Sequence, residues 1–543
     1  MSLLQKASII TTPTAYAEDY LYSIKPAYAL GSELVTNGDF SNGSNDWNVQ
    51  TGWTIANGIA TVNHNATTAI TQSLSGVRAN FLYEIKLTIS NYTQGLIQPQ
   101  FTGQVITQFT GNGDFSFQVV STSSTPTLYL YAISNPQFSI DNVSIKEINQ
   151  ADFDFDRNST GTRVNEDYLI ETVATNTPRI DYTNGEPSIL LEPSRTNLVT
   201  YSQDFSQWST ISSSATDDYA TSPEGITNAS RFLTTSTGAY LYLSSISVSN
   251  STEYTISVYA KSNGNNLDDF RIYTSLGDSS TLTATSQWQR FTYTFTTSTT
   301  SINIGFRPSS TQNADIQIYG YQIEQGSYAT SLIHTSGSAV TRSADVANNA
   351  GNSDLINSTE GVLYIERKSI ADDLTFKNIS LSDGTTPNSI RIYANNVSNS
   401  MVFLFFVSGV AQASYTHLFD DITEFHKVAF KYKANDFSVF VDGREVHTDT
   451  SGSVFSANTL NSLQFDSGAG SEDFYGNAKT VAVFKEALTD LELEKLTGYN
   501  NHELYMNYYN RLSYLGLAEE YNVESDINNY ILWYQVYYKY QVL

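Results

Sequence analysis

Residues 33–41 read Glu-Leu-Val-Thr-Asn-Gly-Asp-Phe-Ser, and residues 196–206 read Thr-Asn-Leu-Val-Thr-Tyr-Ser-Gln-Asp-Phe-Ser, with Trp47 after the first and Trp208 after the second. The closings correspond as well: Phe138-Ser-Ile-Asp-Asn-Val-Ser-Ile-Lys-Glu and Ile316-Gln-Ile-Tyr-Gly-Tyr-Gln-Ile-Glu-Gln both alternate with the period of a strand. A repeat of this kind divides a chain before any other signal does. It predicts two modules of similar size, residues 34–148 and 197–334, each closing on a strand that returns beside its own opening.

Within and beyond the repeat the pattern is all-β. Ile55–Val62, Leu82–Ile89, Phe115–Val120, Thr127–Ala132 and Phe138–Ile145 alternate or run apolar between Gly, Asn, Ser and Pro turns. Short, evenly spaced strands of this kind close into sandwiches or jelly rolls. Residues 335–497 predict a third sandwich, with strands at Gly361–Ile365, Ser389–Tyr393, Met401–Val407, His426–Tyr432, Phe437–Val441, Ser462–Phe465 and Thr480–Phe484. Asp442-Gly443 fits a type I′ turn, because both positions accept φ > 0, and so predicts a hairpin of 437–441 with 444–448. Residues 149–196 are too patterned for a flexible linker and predict a folded β connector, while 1–33 stands apart as a possible docking segment. Thr489-Asp-Leu-Glu492 is a capping box for a short helix with Gly498 at its C′ position. Stripes at Leu504, Tyr508, Leu512, Leu515 and at Ile527, Tyr530, Ile531, Tyr534, Tyr538 predict a helical tail over 498–543.

Composition sets limits on function. At 543 residues the chain exceeds one hydrophobic core. Charged residues are only 15% and aromatics 13%, which excludes intrinsic disorder. A net charge of −26 opposes binding to nucleic acid or to an anionic bilayer and favours cations instead. Zero Cys and six scattered His exclude disulfides, thiolate chemistry and a zinc site. The N-terminus has no signal-peptide run, and the longest apolar stretch, Met401–Val410, is too short to span a bilayer, so a protein made in a cytoplasm without membrane insertion is expected. The Asn91, Asn142 and Asn378 triplets are then read as unmodified.

The opening Leu-Val-Thr-Asn-Gly-Asp-Phe with its later Trp, closing on Ile-Asp-Asn-Val, resembles carbohydrate-binding jelly-roll modules over 34–148. Phe437-Ser-Val-Phe-Val-Asp-Gly and Val481-Ala-Val-Phe-Lys-Glu-Ala-Leu-Thr-Asp-Leu-Glu-Leu look like parts of a laminin-G or concanavalin-A-like sandwich over about 345–497. The connectors Phe155-Asp-Arg-Asn-Ser-Thr-Gly-Thr-Arg-Val-Asn, Ile170-Glu-Thr-Val, Pro178-Arg-Ile-Asp-Tyr, Leu190-Leu-Glu-Pro-Ser-Arg-Thr-Asn-Leu and Gln325-Gly-Ser-Tyr-Ala-Thr-Ser-Leu-Ile together resemble tailed-bacteriophage virion proteins of the tail-fibre or head-fibre kind. The resemblance implies a virion appendage made in the host cytoplasm, often a homotrimer, with other virion proteins and a bacterial surface glycan as partners. A purely structural head decoration or collar protein is the alternative, and a polysaccharide depolymerase a third. The Tyr-rich end after Gly498 departs from the family pattern.

The chemistry-bearing residues are few. Asp152, Asp154 and Asp156 lack the Gly and the terminal Glu of a calcium loop, so the period-2 pattern with Phe153 and Phe155 predicts a strand with carboxylates outward. The pairs Asp217-Asp218, Asp268-Asp269, Asp372-Asp373 and Asp420-Asp421 predict loop tips, since adjacent strand residues point to opposite faces and cannot flank one glycosidic bond. No nucleophile elbow, zinc-protease motif or phosphate loop is present, and a binding protein rather than an enzyme is expected. The resemblance places the Asn-Gly-Asp strand beside the closing Ile-Asp-Asn strand, which implies a structural Ca²⁺ at Asp39 and Asp141; turn capping is the alternative. Sugar recognition uses an aromatic platform with amide and carboxylate partners. Trp47 and Trp53, flanked by Asn and Gly, are chosen over Trp288 as platforms for a neutral or cation-bridged glycan, with core roles as the alternative for each of these and for Trp208.

Overall fold

A computed structural model describes residues 3–498 except 18, 26–28, 78–80, 102, 124–125, 150–151 and 265–266. The tail predicted over 498–543 therefore lies, after Gly498, outside the described residues. The all-β class holds, in three β units and one short C-terminal helix, Asp490–Thr497. Among the described residues no helix is long and apolar enough to cross a membrane.

Alternation builds the third sandwich. Glu360–Ser369, His426–Lys433 and Gly476–Phe484 pair antiparallel, turning Leu363, Ile365, Val428, Phe430, Val481 and Val483 into the space between the layers. Facing them is a five-stranded sheet ordered Val410–Leu418, Ser400–Val407, Ser389–Ala394, Lys377–Ser382, Ser462–Gln464. The outer side of the larger sheet is covered by the helix, with Val362, Ala482 and Phe484 against Leu493 and Leu496. Thr489 and Glu492 form the reciprocal cap expected of them. Gly498 differs from expectation: φ is −70°, not left-handed, and the residue closes the helix through its N–H to the Glu494 carbonyl at 2.8 Å. Asp442 and Gly443 take φ 47° and 85°, as the hairpin of Phe437–Val441 with Arg444–Asp449 requires.

The larger sheet does not end with the third sandwich. Ile9–Ala17 pairs with Gly476–Phe484, Tyr20–Lys25 extends it, and Phe153–Asp156 and Val346–Asn348 follow; Ser188–Leu191 joins Gly476–Phe484 from the connector. Segment 1–33, read above as separate, and connector 149–196 thus supply strands to one central body. The physical reason is apolar alternation at both faces: Ile9, Leu21, Phe153, Phe155, Ile189 and Leu191 enter the inter-sheet core. As expected, Asp154 and Asp156 point outward. The chain departs for the first module after Lys25 and returns at Phe153, the register partner of Leu21; it departs for the second at Asn197 and returns at Val340, the partner of Asn197. The two repeated modules are carried as insertions in this body.

Arg157, Arg179 and Glu192 of the connectors quoted above meet Arg342 and Asp345 in one buried charge network. Arg179 binds Glu192 at 2.6 Å and also Asp345, Arg157 binds Asp345 at 3.2 Å, and Arg342 binds Glu192 at 2.7 Å. All five side chains are nearly inaccessible to solvent. Backbone carbonyls take further guanidinium donors, including Ala174 and Thr177 for Arg157 and Pro193 for Arg342, while Nε of Arg179 and of Arg342 is buried without a hydrogen-bond partner among the described residues. Glu192 also accepts from the backbone N–H and hydroxyl of Ser331 at the end of the second module, so the network joins that module to the body.

The first module is a single folded-over sheet dominated by two long strands, Leu82–Phe101 and Thr127–Asn149, both with register breaks near Ile133–Gln137 where Gly95 crosses Pro136. Thr127–Ala132 and Phe138–Ile145, expected as two strands, are one strand with bulges. Conversely, Ile55–Val62 is a hairpin, Trp53–Ala56 with Ile59–Asn63, turned at Asn57-Gly58 with φ 54° and 75°. The second module is a true two-layer sandwich. One layer runs Ser209–Ile211, Tyr240–Ser247, Ser301–Pro308, Asp268–Thr274, Gly277–Asp278; the other runs Ser213–Thr221, Thr227–Thr234, Asp315–Gln325, Glu253–Ser262, Gln289–Thr296. Asp217-Asp218 and Asp268-Asp269 lie in these strands rather than at loop tips, whereas Asp372-Asp373 and Asp420-Asp421 fall between strands.

Candidate functional site

The repeated opening motif builds a buried corner twice. In the first module Trp47 packs on Phe40 with centroids 5.2 Å apart and donates from Nε1 to the Asn37 carbonyl at 2.9 Å. In the second, Trp208 packs on Phe205 at 5.1 Å and donates to the Tyr201 carbonyl at 3.1 Å. Trp47 and Trp53 are 6% and 7% exposed and belong to the module core, Trp53 against Phe138. Neither offers a free ring face, so the platform role expected of them gives way to the core alternative. Flanking Asn and Gly marked turns, but the indoles fold back from those turns into the space between layers.

Asp39 follows the same repeat. Its Oδ1 accepts the backbone N–H and hydroxyl of Ser41, and Asp204 accepts the backbone N–H and hydroxyl of Ser206 in the matching turn. These bonds, the backbone one foremost, hold the Asp39 carboxyl below its ordinary range. Asp141 accepts the N–H of Asn142 at 2.6 Å. The opening and closing segments do meet: Val143 donates to the Gly38 carbonyl at 2.9 Å, and a Cβ at Gly38 would stand 1.9 Å from the Val143 carbonyl oxygen, which is why this position is glycine. Each carboxylate serves its own turn through Oδ1, and among the described residues no three acidic or imidazole side chains converge.

Two outer sheet faces gather the chemistry of recognition instead. In the first module Leu128 and Leu130 point to the core, so Tyr129 and Tyr131 share the opposite face, their rings stacked 5.4 Å apart at 4°. Their register partners on the neighbouring strand are Gln100 and Gln98, and Gln108 donates to the Gln98 side-chain carbonyl at 2.7 Å. The result is a half-exposed row of phenol and amide groups with no charge in it.

In the second module Tyr254, Ile256, Val258 and Ala260 are core, leaving Tyr259 and Lys261 on the outer face. Register places Arg231, Gln317 and Lys261 in one row across three strands, and Tyr319, Tyr259 and Arg290 in the next. Each cation stands over a ring: Arg231 on Tyr219 at 5.3 Å, Lys261 on Trp288 at 5.1 Å, Arg290 on Tyr259 at 5.3 Å. Trp288 is itself anchored through Nε1 to the Thr221 carbonyl at 3.1 Å, and Gln317 donates to Asn263, which donates to the Tyr219 hydroxyl. Arg231 is neutralised by a bidentate pair with Asp315 at 2.7 and 2.6 Å, whose hydrogen bonds raise the guanidinium further above its ordinary value. Arg290 binds only the Ser257 hydroxyl and the Thr330 carbonyl, and among the described residues no carboxylate pairs with Lys261. Segment 326–335 lies over the other end of the face, with Leu332 against Gly320, whose φ of 63° and absent Cβ let it approach.

Below that segment Glu224 contacts His334 at 2.8 Å and accepts from Asn228, near the buried hydroxyl of Tyr319. Burial and the bond to Glu224 raise the Tyr319 hydroxyl well above its ordinary value, which makes it a donor and not a base. A cavity of about 80 Å³ beside His334 and Thr162 is lined in part by Arg342 of the charge network and has room for little more than water. None of these outer-face residues was singled out from sequence except Trp288. The signal was present: Thr-Leu-Tyr-Leu-Tyr-Ala and Ile-Ser-Val-Tyr-Ala-Lys carry large aromatics at the positions that alternation assigns to solvent.

No family model and no curated protein matches this sequence. Among solved structures, the chain is similar to the carbohydrate-binding module CBM40 of the Ruminococcus gnavus intramolecular trans-sialidase, bound to α2,6-sialyllactose, at 17% identity over 28% of this chain and 94% of that one, with a TM-score of 0.22. It is similar to the tandem CBM22 modules of Paenibacillus barcinonensis Xyn10C at 12% identity over 56% of this chain and 100% of that one, with a TM-score of 0.21. It is also similar to LamAcat of Zobellia galactanivorans, at 14% identity over 28% of this chain and 73% of that one, with a TM-score of 0.19.

Proposed function

We propose that the protein is a virion appendage of a tailed bacteriophage that presents glycan-binding sandwiches to a bacterial surface, by binding and without catalysis. The observation that carries the glycan part is the half-exposed face of Tyr129, Tyr131, Gln98 and Gln100 in the first module. Aromatic rings take the apolar side of a sugar, amides exchange hydrogen bonds with its hydroxyls, and a sheet fixes both without loop ordering. The virion part is supported by the connector signature, whose Arg157, Arg179 and Glu192 build the buried network that makes the body a rigid mount for two inserted modules. Several copies on one particle, as a trimer or otherwise, would turn weak single-site binding into avidity. Retention of the full-length protein on host surface polysaccharide tests the reading: Tyr129→Ala with Tyr131→Ala is expected to abolish retention of neutral glycans while the melting temperature stays within a few degrees. Undiminished retention by that double variant, or no retention by the wild type on any host polysaccharide, refutes it.

A further inference from the structure

The second module also carries aromatics on an outer face, drawn from three segments instead of one strand, and their chemistry differs. Tyr219, Trp288 and Tyr259 each have a cation against one ring face, and that face is not free to stack on a neutral sugar. The rings act as supports that hold ammonium and guanidinium groups in place over a sheet. Arg231 is spent on Asp315, but among the described residues no carboxylate pairs with Lys261 or Arg290, on a chain whose net charge is −26. With so many acids available, two unpaired cations in one patch mark a place where an anion is to come from outside. The remote negative charge does not cancel them, because at physiological ionic strength fields decay over about 8 Å.

We infer that this face of the second module, centred on Lys261, Trp288, Arg290 and Gln317, binds a carboxylate-bearing saccharide unit, so that the two modules read different parts of one surface polymer: neutral units at Tyr129 and Tyr131, acidic units here. The inference rests on the reading of the protein as a glycan binder. The carboxylate meets the Lys261 ammonium, and the amide N–H hydrogens that Gln317 and Asn263 do not spend on Asn263 and Tyr219 donate to the adjacent hydroxyls. Lys261 is already held on Trp288, so little side-chain freedom is lost on binding.

The test uses the full chain on four immobilised carboxylated polysaccharides (polygalacturonate, alginate, hyaluronate, polysialate), on their carboxyl-reduced forms, and on poly(glycerol phosphate). At least one carboxylated polymer is expected to bind about tenfold more tightly than its reduced form at physiological salt, with the ratio shrinking as salt rises. Lys261→Gln is expected to remove that preference, Lys261→Arg to keep it, and the Tyr129→Ala/Tyr131→Ala variant to leave it intact. Equal affinity for acidic and reduced polymers, a preference unmoved by Lys261→Gln, or binding of poly(glycerol phosphate) alone overturns the inference. Failure on every acidic polymer while neutral glycans still bind through Tyr129 and Tyr131 overturns it and leaves the proposed function standing.

Discussion

Replacing Glu192 by Gln removes one negative charge between Arg179 and Arg342 while keeping shape and one acceptor oxygen. Burial pushes the Glu192 carboxyl up, but Arg342, Arg179 and the two Ser331 bonds outweigh it and hold the group at about 2 against an ordinary 4.5. A difference of that size is worth ~3 kcal/mol at neutral pH, close to the roughly 3–5 kcal/mol lost when one partner of a buried ion pair is deleted. For a domain of the body's size this corresponds to a melting temperature lower by about 6–12 °C. Because the folded-state value is depressed, the stabilisation is complete above the unfolded value and fades as pH falls through about 4.5 towards 2. Calorimetry of wild type and Glu192→Gln from pH 7 to 3 therefore has two signatures: a large gap at neutral pH and a narrowing gap below pH 5. A variant melting within about 2 °C of wild type at pH 7, or a gap independent of pH, refutes the account of the network as a stabilising weld.

Trp47→Ala and Trp208→Ala fill equivalent corners, and each is expected to cost about 3–5 kcal/mol in its own module only, read as loss of one calorimetric transition while the others stay in place. Asp152, raised to about 6 by burial against its bond from the Ser23 N–H, destabilises the body when ionised, so stability should rise as pH falls from about 6 towards 4; Asp152→Asn is expected to raise the melting temperature at pH 7 and remove that slope. Calcium at Asp39 and Asp141 is tested by melting the full chain in millimolar Ca²⁺ and in chelator. No change is expected from their turn roles, and a rise with Ca²⁺ would restore the cation site. Light scattering of the full-length protein and of a version ending at 498 should show an oligomer lost on truncation if the Tyr-rich tail assembles it.

Alternation and turn chemistry, being local, determined much of the fold without any structure: three all-β units, the Asp442-Gly443 hairpin, the Thr489 cap and the outward Asp154 and Asp156 follow from side-chain period and φ preference alone. The repeat was equally legible, and its meaning is now concrete, since Asp39 with Ser41 and Asp204 with Ser206 make the same bonds. The Asn57-Gly58 turn was readable by the same rule and passed over because the residues on either side continue the apolar alternation. What only the tertiary structure decided is non-local. That Ile9–Ala17 pairs with Gly476–Phe484 depends on bringing together strands from opposite ends of the described chain, and no local pattern distinguishes that partner from any other edge. That Arg157, Arg179, Glu192, Arg342 and Asp345 share one buried site depends on three chain segments meeting. The same limit governs the recognition surfaces. Residue type showed that tryptophan was available, but whether an indole faces solvent is fixed by what packs over it, which buried Trp47 and Trp53 and left Trp288 outside under Lys261.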